Sequence, residues 1–73
     1  MKVEIEYCVQ WNYRPEADRV SAEISELENV TVELIDGKGG IFEVRRDGEL
    51  LWKKERGGAF PTEGEITAAI SSW

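Results

Sequence analysis

Apolar and polar residues alternate in four short segments of the chain, and this pattern predicts four β-strands. In the first, "KVEIEYC" (residues 2–8), Val3, Ile5 and Tyr7 fall on one side and charged residues on the other. Such alternation is typical of a strand with one buried face. Three later segments repeat the pattern: "VTVELI" (30–35), "IFEVRR" (41–46) and "ELLWKK" (49–54). The last two flank Asp47-Gly48, a pair that favours a two-residue hairpin turn.

Two other segments have the periodicity of helices. Pro15 suits a first helical turn, and residues 15–27 then carry apolar positions at helical spacing: Ala17, Val20, Ile24 and Leu27. The segment from residue 62 opens with Thr62 and Glu65 at the spacing of a capping box. Its apolar positions follow at i, i+3, i+4 and i+7: Ile66, Ala69, Ile70 and Trp73.

The predicted order is therefore β-α-β-β-β-α in a single domain, residues 1–73. The first β-α-β unit should be a right-handed parallel crossover, and the last two strands an antiparallel hairpin. Charge lies on one side of the strands: Glu4, Glu6, Glu33, Glu43 and Arg45. A sheet covered on both faces would have continuous apolar strands instead. We therefore predict an α+β, two-layer sandwich with both helices on one face of the sheet.

Composition excludes several classes of protein. The 73 residues carry a net charge of −6, which argues against nucleic acid and against anionic membrane surfaces as partners. No segment approaches the roughly 20 apolar residues of a membrane span. With one Cys and no His, neither an internal disulfide nor a metal site is expected. The lone thiol, and an N-terminus without a signal peptide, indicate a reducing, cytoplasmic setting.

Four stretches, in their order along the chain, resemble the selenoprotein W, T and H family, whose bacterial and archaeal members are called the Rdx family. They are "VEIEYC", "NYRPEA", "GKGGIFEVRRDGELLW" and "GGAFP", and the resemblance covers nearly the whole chain. It implies a thioredoxin-like fold with a four-stranded mixed sheet in the order 2-1-3-4. It also places Cys8 at the carboxyl end of an internal strand, before the first helix, and implies a role in redox homeostasis.

The chain departs from the family's Cys-x-x-Cys or Cys-x-x-selenocysteine motif at one position. Cys8 matches the first member, but Trp11 stands where the second belongs. In a dithiol protein the second sulfur resolves the mixed disulfide that the first one forms. Without it, Cys8 as the sole catalytic residue depends on an external thiol. We expect no resident cofactor, and glutathione or another low-molecular-weight thiol as co-substrate.

The sequence leaves the reactivity of Cys8 open. Arg14 and the helix that starts at Pro15 would favour the thiolate, whereas Glu6 would oppose it, so both an activated thiolate and a plain, partly buried thiol are hypotheses. Trp11 is interpreted either as an aromatic lid over the thiol or as packing at the edge of the core.

The candidate binding residues are Trp11, Arg14, Gly39 and Gly40. The spacing of the glycines fits no phosphate-binding loop and favours a tight strand connection beside Cys8.

Two functions follow from these residues. The first is a monothiol redox protein acting through Cys8. The alternative is a redox-inactive thioredoxin-like interaction module, favoured by the replacement at Trp11. In both, the loop from Cys8 to Trp11 is expected to contact the partner, which is a small thiol or a protein. The chain is expected to be a monomer.

Overall fold

The computed structural model describes residues 1–72, and its elements follow the predicted order β-α-β-β-β-α. They are β1 (Lys2–Cys8), α1 (Arg14–Ile24), β2 (Thr31–Gly37), β3 (Phe42–Arg46), β4 (Glu49–Lys53) and α2 (Glu65–Ser71). The predicted place of Trp73 on the apolar side of the last helix lies outside the described residues.

The strands form one mixed sheet in the order β2-β1-β3-β4, which confirms the predicted order 2-1-3-4. β1 pairs in parallel with β2 and antiparallel with β3, and β3 pairs antiparallel with β4. β1 is therefore an internal strand. Its carboxyl end meets the end of β2 and the start of β3 at one edge of the sheet.

Both helices cover the same face of this sheet, as predicted. One cluster of buried side chains joins the strands to the helices: Val3, Ile5, Tyr7, Ala17, Val20, Ile24, Phe42, Val44, Ile66 and Ile70. Phe42 is fully buried and makes edge-on ring contacts with Trp52 and Phe60, at centroid distances of 6.0 and 5.3 Å. Among residues 1–72, no helix is long and apolar enough to cross a membrane.

The open face of the sheet gathers carboxylates around one arginine. The guanidinium nitrogens of Arg45 lie 3.5 Å from a carboxylate oxygen of Glu4 and 3.1 Å from one of Glu6 and one of Glu43. About three-quarters of each of these four side chains is buried. The paired guanidinium neutralises part of the acidic charge on this face. Within residues 1–72, no group of three or more Cys, His, Asp or Glu side chains is positioned to hold a metal ion.

The helix boundaries differ from the predicted ones at three ends, and the smallest difference is at the start of α1, which begins at Arg14 instead of Pro15. α1 ends at Ile24 instead of residue 27, because the chain tightens into a turn in which the Leu27 N–H donates to the Ile24 carbonyl (3.1 Å). α2 begins at Glu65 instead of Thr62. The Glu65 carboxylate does accept the Thr62 N–H (2.9 Å), but the residue that caps the helix is Gly64, with φ 83°.

Candidate functional site

The carboxyl end of β1 turns directly into the start of α1. The Tyr13 N–H donates to the Cys8 carbonyl (3.1 Å) and the Asn12 N–H donates to the Val9 carbonyl (3.0 Å). Asn12 takes a left-handed conformation, φ 57°, which closes this reverse turn. Cys8 thus lies where the resemblance implied, at the end of an internal strand and before the first helix.

The connection from β2 to β3 crosses over this end of β1. Because β2 and β3 flank β1 and are joined only by residues 38–41, those four residues have to pass over it. We call residues 38–41 the strap. The Cys8 N–H donates to the carbonyl of Ile41 in the strap (2.8 Å), and the Val9 N–H donates to the Gly37 carbonyl just before it (3.3 Å). The strap is therefore bound to the chain directly at the thiol.

The Cys8 side chain is fully buried, which is more than either hypothesis for its reactivity allowed. Its exposed fraction is 0%, and its thiol is free. Gly37 of β2 lies beside Cys8, and Ile41 of the strap leans against Gly37 so closely that a Cβ on Gly37 would lie 2.4 Å from Ile41 Cγ2. Alternation and spacing alone could not predict this cover, because it depends on which strands flank β1.

Trp11 lies against the strap and is 52% exposed. Its ring packs on Gly40, where a Cβ would lie 2.5 Å from Trp11 Cζ3, and it makes an edge-on contact with Tyr13 (centroid distance 6.0 Å). Gly39 and Gly40 have φ of 69° and 79°, which a side chain rarely adopts. These glycines form a tight strand connection beside Cys8, as the sequence favoured. Trp11 packs with one side of its ring and presents the other to solvent.

Arg14 is engaged away from this loop. Its Nε donates to Asp18 (2.8 Å) and its Nη1 to the Tyr7 hydroxyl (3.1 Å). The hydrogen bond with Asp18, followed by the one with Tyr7, raises the pKa of the Arg14 guanidinium. Since Tyr7 is part of the core under the helices, Arg14 holds the start of α1 to the sheet.

A groove of about 360 Å³ opens between the strap and the part of the chain that begins at the end of β4. We call it the strap groove. Its lining includes Trp11, Gly39, Gly40 and Ile41 on one wall and Lys53, Lys54 and Arg56 on the other, with Glu43 and Glu55 also at its edge. Three predicted binding residues, Trp11, Gly39 and Gly40, thus come together, whereas Arg14 and Cys8 do not line the groove.

The cations of the groove were missed by the sequence analysis. Lys54 Nζ lies 5.7 Å from the ring centroid of Tyr13 and 5.3 Å from that of Phe60, which places its ammonium group over two aromatic rings. The available signal was "KKER" at residues 53–56, which holds three cations in an otherwise acidic chain. Its proximity to Trp11 follows only from the sheet order.

Comparison with known proteins agrees with this geometry. The chain is similar to a crystal structure of a Bordetella parapertussis protein (26% identity, TM-score 0.82, covering 97% of this chain and 94% of that one). It is also similar to the crystal structure of a selenoprotein W-related protein from Vibrio cholerae (27% identity, TM-score 0.82, covering 97% and 92%). No curated protein matches the sequence. The sequence model of the Rdx family matches residues 2–72, almost the whole chain, and the protein therefore belongs to the Rdx family.

Proposed function

We propose that this Rdx-family protein is a redox-type thioredoxin-like protein in which Cys8 reacts as a single thiol. The observation that carries the proposal is the position of Cys8, a free thiol at the carboxyl end of the internal strand, beneath the strap. The proposed co-substrate is glutathione or another low-molecular-weight thiol, in a reducing cytoplasm. The proposed role is redox homeostasis.

The reaction needs one external molecule at each step. The Cys8 thiolate attacks one sulfur of a disulfide, a new S–S bond forms to that sulfur, and the other half leaves as a thiolate that takes up a proton. Cys8 is thereby oxidised to a mixed disulfide while the leaving half is reduced. Because Trp11 occupies the resolving position, a second thiolate from solution attacks the bound half of the mixed disulfide, forms a new disulfide with it and releases Cys8 as a thiolate that takes up a proton.

Burial of Cys8 makes this chemistry depend on local opening. The strap is held at Cys8 by the bond to the Ile41 carbonyl, and the turn within the strap is closed by a long bond from the Ile41 N–H to the Lys38 carbonyl (3.4 Å). Gly39 and Gly40 have no side chains that could anchor the strap to the rest of the protein. Local openings of this kind have free energies below that of global unfolding, so the strap can move while the sheet stays folded.

The test is the rate at which Cys8 forms an adduct with oxidised glutathione, followed by mass spectrometry across a urea series. Reaction through strap opening should give a single adduct at a rate that hardly changes at low urea, since little surface is exposed. A thiol that returns the adduct to free Cys8 would complete the cycle. If the rate instead rises with the full urea dependence of global unfolding from zero urea onward, Cys8 reacts only in the unfolded chain and the proposal is wrong.

A second candidate function, a redox-inactive interaction module, is favoured by one contrast. The thiol has no exposed surface, whereas the neighbouring Trp11 exposes half of its side chain at the strap groove. Complementation of cells that lack the protein separates the two functions. Cys8→Ala should abolish the redox function and leave an interaction module active, whereas Trp11→Ala should impair the interaction module. Equal retention of function by both variants contradicts both candidates.

A further inference from the structure

We propose that the strap groove binds the carboxylates of an anionic thiol or disulfide, so that the protein selects its co-substrate by charge. This inference rests on the proposed function of Cys8 and names the chemical class of molecule that reaches it. The ligand is a small organic molecule, because the groove volume of about 360 Å³ falls in the range of small-molecule sites, roughly 300–1,000 Å³. Its negative charge is inferred from the cations of the groove.

The charge of the groove differs from that of the rest of the chain. Most cations outside it pair with carboxylates, for example Lys2 with Glu33 and Arg45 with Glu6. Within residues 1–72, no ion pair is formed by the cations of the strap and the groove wall: Lys38, Lys53, Lys54 and Arg56. In a protein of net charge −6, this leaves one positive region beside Cys8.

Two carboxylates at the edge of the groove do not cancel this field. Glu43 is bound to Arg45 on the open face, at 3.1 Å, which turns its charge toward that cation. Glu55 is exposed and forms no ion pair within residues 1–72, and it offsets only one of the three cations that line the groove. Lys54, by contrast, is held in place over the Tyr13 and Phe60 rings, so one cation is already positioned for a ligand.

The strap wall adds neutral groups suited to the same ligand. The backbone N–H groups of Gly39 and Gly40 donate no hydrogen bond within residues 1–72, and both residues line the groove. The half-exposed indole of Trp11 supplies an apolar surface beside them. Free N–H donors, cations and an aromatic face together suit a small molecule with carboxylates and an apolar part.

The groove is separated from Cys8 by one residue. Ile41 lines the groove, and its carbonyl accepts the Cys8 N–H at 2.8 Å. A disulfide held in the groove by its carboxylates therefore lies next to the thiol when the strap moves, at a high effective concentration. The exchange itself is the balanced step given above, with the anionic disulfide as the species that is reduced.

The experiment compares an anionic disulfide, oxidised glutathione, with a cationic one, cystamine. Each rate of Cys8 modification is divided by the rate for a peptide of residues 7–12 with blocked termini, which carries no charge and so corrects for the intrinsic reactivity of the disulfide. We expect the anionic disulfide to be favoured on the order of tenfold at low salt, and by much less in 1 M NaCl, where the Debye length is about 3 Å.

Variants that remove charge test whether the preference for the anionic disulfide arises at the strap groove. The double variant Lys53→Gln/Arg56→Gln should lose most of the preference. The matched control Ser25→Glu/Ala68→Glu changes the net charge by the same amount at exposed positions of the chain outside the groove, and it should keep the preference. An equal loss in both variants would mean that net charge, not the groove, selects the disulfide, and would overturn the inference.

A binding measurement separates this inference from the proposed function. In Cys8→Ala, S-methylglutathione cannot exchange, and its binding should shift the amide NMR signals of Gly39 and Gly40. Such shifts without any adduct in the wild-type protein would support the groove and contradict the redox function. Adduct formation without shifts and without charge preference would support the redox function and overturn the groove.

Discussion

The ring of Trp11 lies directly against the backbone of Gly40. A Cβ at Gly40 would be 2.5 Å from Trp11 Cζ3 and 3.0 Å from Trp11 Cε3, so only glycine allows this approach. Gly40 belongs to the strap that covers Cys8. A dithiol protein of this family would have its second cysteine at position 11. In this chain the position holds Trp11, whose ring packs on the strap that covers Cys8. Trp11 and the burial of Cys8 are therefore parts of one arrangement.

Gly40→Ala should loosen this arrangement. The added methyl group overlaps the Trp11 ring, and φ of 79° is strained for alanine, so we expect a loss of about 2–3 kcal/mol in the free energy of unfolding. Urea unfolding measures the loss. Alkylation of Cys8 should become faster at the same time, because the strap is displaced more often.

Gly39→Ala is the matched control for this variant. Gly39 has a similar φ of 69°, but a Cβ there meets no atom within 4 Å. Only the backbone strain remains, and the expected loss is about 1 kcal/mol. Equal losses and equal alkylation rates in the two variants would show that the contact between Trp11 and Gly40 does not hold the strap.

The complete burial of Cys8 predicts an order of stability for two substitutions. Cys8→Ser places a hydroxyl in a site with no exposed surface, and we expect a loss of about 1–3 kcal/mol. Cys8→Ala introduces no polar group and should cost less. Urea unfolding of both variants measures the order. A Cys8→Ser variant as stable as the wild type would mean that water reaches this position.

Arg45 should stabilise the open face through its three carboxylate partners. Arg45→Met leaves Glu6 and Glu43 without a cation and leaves Glu4 with only the more distant Lys2, at 3.9 Å. Because these side chains are largely but not fully buried, we expect a loss of about 2 kcal/mol at low salt. Part of it should return in 1 M NaCl, which screens the repulsion.

Arg19→Met provides the comparison for Arg45. Arg19 Nη2 lies 3.0 Å from Glu16 Oε1, and both side chains are more than a third exposed. Such a pair contributes about 0–1 kcal/mol, and its removal leaves one carboxylate instead of three. A salt response as large in Arg19→Met as in Arg45→Met would argue that general charge effects, not the cluster, explain the loss.

Much of the fold could be predicted because its signals are local. Alternation located β1 at residues 2–8 without error, and Asp47-Gly48 predicted the hairpin turn, where both residues take positive φ of 47° and 90°. The end of α1 was missed because Leu27 continues the apolar spacing although the chain turns after Ile24. A hydrophobic side chain can pack on the core from a turn as well as from a helix.

The site was harder to predict because it is made of distant segments. Trp11, Gly40 and Lys53 line one groove, yet they are far apart in the chain and meet only through the sheet order. The burial of Cys8 has the same origin, since the strap crosses β1 only when β2 and β3 flank it. The family resemblance implied that order, but the packing of side chains over the thiol depends on contacts between residues that are distant in the sequence.

Glu23 links the two helices and gives a prediction for pH. Its Oε1 accepts the Gly64 N–H (3.0 Å) and its Oε2 accepts the Thr67 hydroxyl (2.7 Å). The bond from Gly64, followed by that from Thr67, lowers the pKa of Glu23 below its ordinary value of 4.5. A carboxylate with a lowered pKa stabilises the folded state above that value, and this stabilisation is lost as the pH falls through the folded-state pKa.

Glu23→Gln should therefore destabilise the protein at pH 7 and lose this effect in acid. We expect a difference of about 1 kcal/mol or less at pH 7, because the side chain is only partly buried and glutamine can still accept one bond. Urea unfolding of the variant and the wild type at pH 7 and pH 3 measures it. Glu26→Gln, at an exposed carboxylate on the turn after α1 with no hydrogen bond within residues 1–72, removes no contact between the helices and should leave the free energy of unfolding at pH 7 unchanged. A Glu23→Gln effect that stays constant down to pH 3 would mean that the charge of Glu23 does not hold the helices together.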